Sequence, residues 1–378
     1  MKISLCMIVK NEELVLERCL NSIKDAVDEI VIVDTGSTDK TKEIAFKFTD
    51  KVYDFEWIDD FAAARNFAFS KGNCDYLMWL DADDVFEKED VEKIIEFKKN
   101  ASLDVSIYTM RYVIKTDKNM NILSEIGRGR LFRKSDDFKW EGRVHEYIAR
   151  KGKVESLDIK IYHRKLVMSD PRRNLRIYEK MLKDGMELNV RDTILFAKAL
   201  FGDGRYTDAI NEYKKVYNNE IKYVSEYDKY EAVCEIAYCY RLIRDLKASY
   251  EIITEYLTNN RGHSRIWHEY GEYFLKSKQY ETAIAMYEEA LRVGKFDILF
   301  DKNKEYEKFY PCISMSMAYY YLRDKENALK YIKLAEEVNS EADYVKNNKK
   351  LYENMSLKST FYSAFLYWNF NVKKLIKP

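Results

Sequence analysis

The chain has 378 residues, of which 47% are hydrophobic and 34% charged. That is enough apolar material for two ordinary domains and excludes wholesale disorder. The 64 basic and 64 acidic residues cancel, which removes any general attraction to nucleic acid or anionic lipid. Residues 3–9, ISLCMIV, predict a buried strand, followed by a helix near 12–24. EIVIVD (29–34) predicts a second buried strand ending on Asp34, and Ser37 or Thr38 is placed to cap a helix running to about Phe48. KVYDFEW (51–57) predicts a short strand, DDFAAARNFAFSK (59–71) a helix, and DYLMWLDADD (75–84) a strand ending in acid. Four strand–helix alternations in under ninety residues point to a parallel, doubly wound sheet, whose ligands sit beyond the carboxyl ends of the strands. Both acidic clusters fall at such ends.

Between about 104 and 165 the segments SIYTMRYVI, GRLFRK and KIYHRK predict strands in mixed order. After Pro171 the pattern is helical, and Pro311 is the only later proline before the chain's last residue. A frame of small and aromatic residues recurs there: Tyr206, Ala209 and Tyr213, then Tyr280, Ala283 and Tyr287, with looser copies around Ala248 and Ala328. The small residues are spaced near the 34-residue helix–turn–helix period of tetratricopeptide repeats. The expected fold class is therefore an α/β domain over residues 1–168 and an all-α, tetratricopeptide-like repeat domain over 169–378. Six scattered cysteines without metal-binding spacing suit a reduced, cytoplasmic protein. No run approaches the ~20 apolar residues of a membrane span, so no transmembrane segment is expected; attachment at the inner face of a membrane stays open.

DTG at 34–36 occurs once, whereas an aspartic protease needs two carboxylates sharing a proton. No GxGxxG follows the first strand and no GxxxxGK[ST] is present, which disfavours dinucleotide oxidoreductases and P-loop NTPases. In an extended segment Asp81 and Asp83 share a face. Such a pair suits a hard cation such as Mg²⁺ or Mn²⁺, which also takes phosphate oxygens.

SLCMIVKNEE, VDTGSTDKT, DFAAARNFA and WLDADD together resemble family 2 glycosyltransferases of the GT-A fold. The chain is similar in particular to bacterial members with C-terminal tetratricopeptide repeats, a group that includes peptide S-glycosyltransferases. The resemblance implies that Asp34 binds the uracil or ribose edge of a UDP-sugar donor and that Asp60 and Arg65 complete the nucleotide pocket. Arg65 has structural anchoring of its helix as a rival role, and Asn66 bridging of loops. Asp81 and Asp83 are the implied DxD pair holding Mn²⁺ or Mg²⁺ against the diphosphate, and Asp84 orients the loop or touches the sugar. WEGRVHEYI (140–148) resembles the segment carrying the general base: Glu146 is the candidate, with His145 its competitor. Trp140 stacks on sugar or fills the core. His163 is the candidate third metal ligand. Arg128, Arg130 and Arg133 either meet the diphosphate or form a solvated edge strand.

The implied activity is inverting transfer of a hexose or N-acetylhexosamine from a UDP-sugar to a peptide, protein or glycan acceptor. The repeats bind the acceptor or mediate a homodimer; no nucleic-acid partner is expected. A metal-dependent nucleotidyltransferase and a catalytically degenerate repeat scaffold are the alternatives.

Overall fold

Β-branched and apolar residues dominate Ile3–Val9 (β1), where every position but one is buried, as a central strand covered on both faces requires. The structure is a computed structural model and describes residues 1–116, 120, 122–166, 170–294 and 304–355. Two compact units divide it, Met1–Tyr178 and Glu179–Pro378. The expected boundary at 168/169 lies outside the described residues.

In the first unit β1 is followed by Leu16–Ile23 (α1), Glu29–Asp34 (β2), Thr41–Phe46 (α2), Val52–Asp54 (β3), Phe61–Lys71 (α3), Tyr76–Met78 (β4), Asp84–Val85 (β5) and Lys88–Asn100 (α4). Then come Ile107–Thr116 (β6), Ile122–Arg133 (β7), Trp140–Glu141 (β8), Tyr147–Ile148 (β9) and Val154–His163 (β10), and the boundary between the units falls within Arg173–Lys183 (α5). One eight-stranded sheet has the order β3-β2-β1-β4-β7-β6-β10-β5, and β8 pairs with β9 separately. The strands β1 to β4 are mutually parallel where they pair, β7 is antiparallel to its neighbours β4 and β6, and β10 runs parallel to β6. The carboxyl ends of β1, β2, β4 and β10 therefore share one edge. Side chains of β1 alternate between two cores. Ile3, Leu5, Met7 and Val9 pack with α1, α2 and α4 residues, whereas Cys6 joins α3, Trp79 and Trp140 on the other face.

Three local expectations change. Ser37 and Thr38 do not cap α2: the Ser37 hydroxyl accepts from Asn11 N–H, and it is Asp39 Oδ1 that accepts from Thr41 N–H. The fourth strand stops at Met78, because Asp81–Asp84 closes a turn through Asp84 N–H donating to Asp81 O at 3.0 Å. Asp81 and Asp83 are thus not alternate residues of an extended run. Nor is β7 an edge strand, since β4 and β6 flank it.

The second unit continues with Val190–Gly202 (α6), Tyr206–Tyr217 (α7), Glu226–Leu242 (α8), Leu246–Asn259 (α9), Ser264–Lys276 (α10), Tyr280–Gly294 (α11), Phe309–Tyr321 (α12), Lys325–Glu336 (α13) and Asp343–Glu353 (α14). From α6 to α14 successive helices pack on one another, and α8 also touches α10, as α10 touches α12. This next-neighbour pattern is that of a helical repeat stack. Ala209, Ala283 and Ala328 are each fully buried near the start of their helices. In α9 that place belongs to Ser249, 1% exposed, and not to the half-buried Ala248. The six cysteines are free thiols. No helix among the described residues is long and apolar enough to cross a membrane.

Candidate active site

Register places Asp34 opposite Val9 at the carboxyl end of β2. The side chain is 2% exposed. Its Oδ1 accepts from Gly36 N–H and Ser37 N–H, both at 2.9 Å, while Oδ2 is buried without a hydrogen bond. Gly36 takes φ +98°, a conformation that an L side chain adopts only with strain. Thr35 N–H and hydroxyl both donate to Val9 O, so the turn is locked to β1.

On the other face, Asp60 caps α3 by accepting from Ala63 N–H at 2.8 Å. Arg65 follows one turn later and is buried. Its Nε donates to Glu146 Oε1 at 2.6 Å and its Nη2 to Asp81 Oδ1 at 2.8 Å. The guanidinium lies 4.8 Å from the Trp79 ring and 5.0 Å from Trp140. Burial disfavours its charge, but Asp81 and Glu146 outweigh burial and hold Arg65 protonated far above neutrality. Asn66 brackets β8, donating to Trp140 O and accepting from Trp140 N–H. Trp140 itself is a core residue, 6% exposed.

The acids after β4 diverge. Asp81 turns to Arg65 and keeps 36% of its side chain exposed; burial raises its carboxyl, yet Arg65 and Arg130 together keep it below the usual range. Asp83 turns the other way, with His163 Nδ1 at 3.4 Å from its Oδ1. Asp84 is fully buried, accepting from Asp81 N–H and from Arg130 Nη1, with Oδ1 unpartnered. Strand pairing sets His163 directly opposite Asp84. Among the described residues Asp83, Asp84 and His163 form a group whose ligand atoms lie within 4.8 Å of one another. Two carboxylates and one imidazole suit Mn²⁺ or Mg²⁺ chemically, and the orphaned Asp84 oxygen has coordinating capacity to spare. The neighbouring carboxylates, Asp83 first and then Asp84, push His163 up to about 9. Tyr112 holds the same imidazole, its hydroxyl 2.9 Å from Nδ1.

Glu12 escaped the sequence reading, and Arg130, a candidate there for the diphosphate or for a solvated edge strand, is buried. Arg130 is fully exposed to neither solvent nor loop: it lies at 0% exposure, 3.8 Å over Trp79 and 4.7 Å over Tyr112. Arg133 instead pairs locally with Asp136. Half-buried Glu12 is pushed up to about 7 by burial and by Asp83, Asp81 and Asp39, which marks a crowd of negative charge. The acid-rich turn gave a signal for this crowd; Glu12's share in it needed the fold. His145 is exposed, at φ +52°, with Nε2 3.3 Å from Asn174 Nδ2.

Residues 4–156 match glycosyl transferase family 2. A TPR repeat-containing protein of Synechococcus elongatus is 36% identical over 149 residues, 39% of this chain and 35% of its own length. Glycosyltransferase SunS of Bacillus subtilis is 30% identical over 237 residues, 57% of this chain and 53% of its own. The chain thus spans about half or less of these curated relatives. A crystal structure of S. aureus TarS 1-349 is similar at 15% identity and TM-score 0.33, covering 69% of this chain and 92% of that one. The family model's match lies within the first unit, whose mixed sheet is GT-A-like, and an all-helical region follows.

Proposed function

We propose that the chain is an inverting glycosyltransferase that moves a hexose or N-acetylhexosamine from a UDP-sugar to a peptide, protein or glycan acceptor. The observation that carries the reading is the half-satisfied Asp34 carboxylate on the same sheet edge as the Asp83–Asp84–His163 group. An orphaned, buried carboxylate oxygen calls for a donor, and the uracil N–H is one. The walls of the nucleotide pocket come from α3, through Asp60 and Arg65. Asp83 and His163 hold the cation, with Asp81 facing the donor beside them. When bound, the ion neutralises charge on the departing diphosphate. Glu146 takes the acceptor proton as the nucleophile attacks the anomeric carbon; His145 is the alternative base. Residues 1–168 form the catalytic domain in this reading, and the tetratricopeptide-like helices seat the acceptor or a second copy. Similarity to SunS, a glycosyltransferase by name, supports a sugar-transferring chemistry, and the resemblance to peptide S-glycosyltransferases favours a peptide acceptor.

The test is calorimetry of UDP with and without Mn²⁺, on the wild type and on Asp34→Asn. The amide keeps an oxygen for Gly36 and Ser37 but presents NH₂ where the orphaned oxygen stands. Mn²⁺-dependent binding of UDP, weakened about tenfold or more in D34N with the melting temperature retained, is expected. A wild type indifferent to UDP at saturating Mn²⁺ overturns the reading.

A further inference from the structure

We infer that Arg65 is a positioning residue that ties the donor side of the site to the acceptor side, so that charge arriving at one is felt at the other. The inference rests on the transferase reading above for the meaning of the two sides, but not for the linkage itself. Asp81 and Glu146 come from distant parts of the chain, and one guanidinium holds both, through Nε and Nη2. A guanidinium is a rigid planar fork, so its nitrogens cannot reorient independently. Here the fork lies against the Trp79 and Trp140 rings, which touch each other edge to face, and its helix is pinned to β8 by the two Asn66 hydrogen bonds. The remaining nitrogen, Nη1, is buried without a hydrogen bond, so no third hydrogen bond holds the guanidinium if one carboxylate lets go.

The consequence is a competition. Positive charge added beside Asp81 weakens that carboxylate's hold on Arg65, which then leans on Glu146. Loss of charge at Glu146 does the reverse and commits Arg65 to Asp81. Coupling of this kind is reciprocal. It gives Arg65 work that neither nucleotide contact nor helix anchoring would supply: the loaded state of the donor side sets how tightly the acceptor-side carboxylate is held.

The experiment is Mn²⁺ titration of the full chain without nucleotide, free Mn²⁺ being counted by electron paramagnetic resonance. It compares wild type, E146Q, R65M and R65M/E146Q. Removing the Arg65 charge in R65M should tighten Mn²⁺ binding several-fold, an effect that simple loosening of the core would not produce. E146Q should weaken binding in the wild-type background by at least about threefold more than in R65M, within the usual range of such couplings. Equal effects in both backgrounds would mean that Glu146 acts only by direct Coulomb attraction and would overturn the inference. If R65M fails to fold, R65K and R65K/E146Q replace it, since the ammonium lacks the fork. If the wild type takes up no Mn²⁺, the transferase reading falls separately. The linkage is then read from melting temperatures of D81N, E146Q and D81N/E146Q. Non-additive losses in the wild-type background that become additive with R65K support it; additive losses in both overturn it.

Discussion

His163 Nδ1 lies 3.4 Å from Asp83 Oδ1, and His163 pairs directly with Asp84 of the two-residue strand β5. The carboxylates raise the imidazole to about 9, above its unfolded value of about 6.5. A raised folded value stabilises fully below the unfolded one and loses that stabilisation as pH rises through the folded one. The metal-free protein should therefore exceed His163→Gln in melting temperature most clearly below about pH 6.5. The difference should shrink up to about pH 9. A pH-independent difference across that window would remove the ion-pair account.

Asn66 makes both of its amide hydrogen bonds to the backbone of Trp140. Asn66→Ala leaves a buried N–H and C=O unpaired and should cost about 1–3 kcal/mol in urea unfolding. Asn66→Asp retains the acceptor for Trp140 N–H and should recover part of the loss. Because β8 leads into the Glu146 segment, sugar transfer should fall by a larger factor than UDP affinity in both variants.

Gly271, in α10, lies against the fully buried Tyr287 ring of α11, where an added Cβ would stand 2.6 Å from Cδ1 and 2.9 Å from Cζ. The ring cannot retreat freely, since its hydroxyl donates to Glu272 Oε1 at 2.9 Å. In an open helix Gly→Ala would stabilise by about 1 kcal/mol. Here overpacking costs about 1–3 kcal/mol and wins. Gly271→Ala should lower the melting temperature, and Gly271→Ala with Tyr287→Leu should lower it less than the two separate losses combined.

Arg241 of α8 holds both Glu269 and Glu272 of α10, all three of them buried. Arg241→Met strands two carboxylates and should destabilise by about 3–5 kcal/mol. Burial works against the Glu269 charge, but Arg241 prevails and holds its carboxyl down to about 2. A depressed value stabilises above the unfolded one, about 4.3, and that contribution disappears as pH falls toward 2. The gap between wild type and R241M should therefore narrow over that acid window, as followed by circular dichroism.

The parallel sheet and its ligand edge were legible because β1 and β2 are apolar runs and because β2 and the 75–84 segment end in acid. The burial of Arg130 was not legible. GRGR reads as polar, and only the pairing of β7 between β4 and β6 turns Arg130 inward over Trp79. The split between Asp81 and Asp83 likewise depends on Arg65 and His163, which are remote in sequence. In the helical half the frame was found but slipped by one at Ala248, since Ser249 is small enough to fill the same buried place. A clearer signal lay in Trp267, Tyr270, Gly271 and Phe274, which follow the aromatic–glycine spacing of the first repeat helix.

The pairing of β10 with its neighbours has an evolutionary corollary. His163 reaches Asp83 and Asp84 only because it sits opposite Asp84 in register, and a slip of one residue would turn it to the opposite face of the sheet. Upstream, β10 carries an irregularity between Ser156 and Lys160, where its register against β6 shifts. Such a bulge takes up an extra residue without passing it on. Insertions or deletions should thus be tolerated in relatives on the Ser156 side of the irregularity and absent between Lys160 and His163, so that gaps in an alignment of this strand would map which half keeps time for the imidazole.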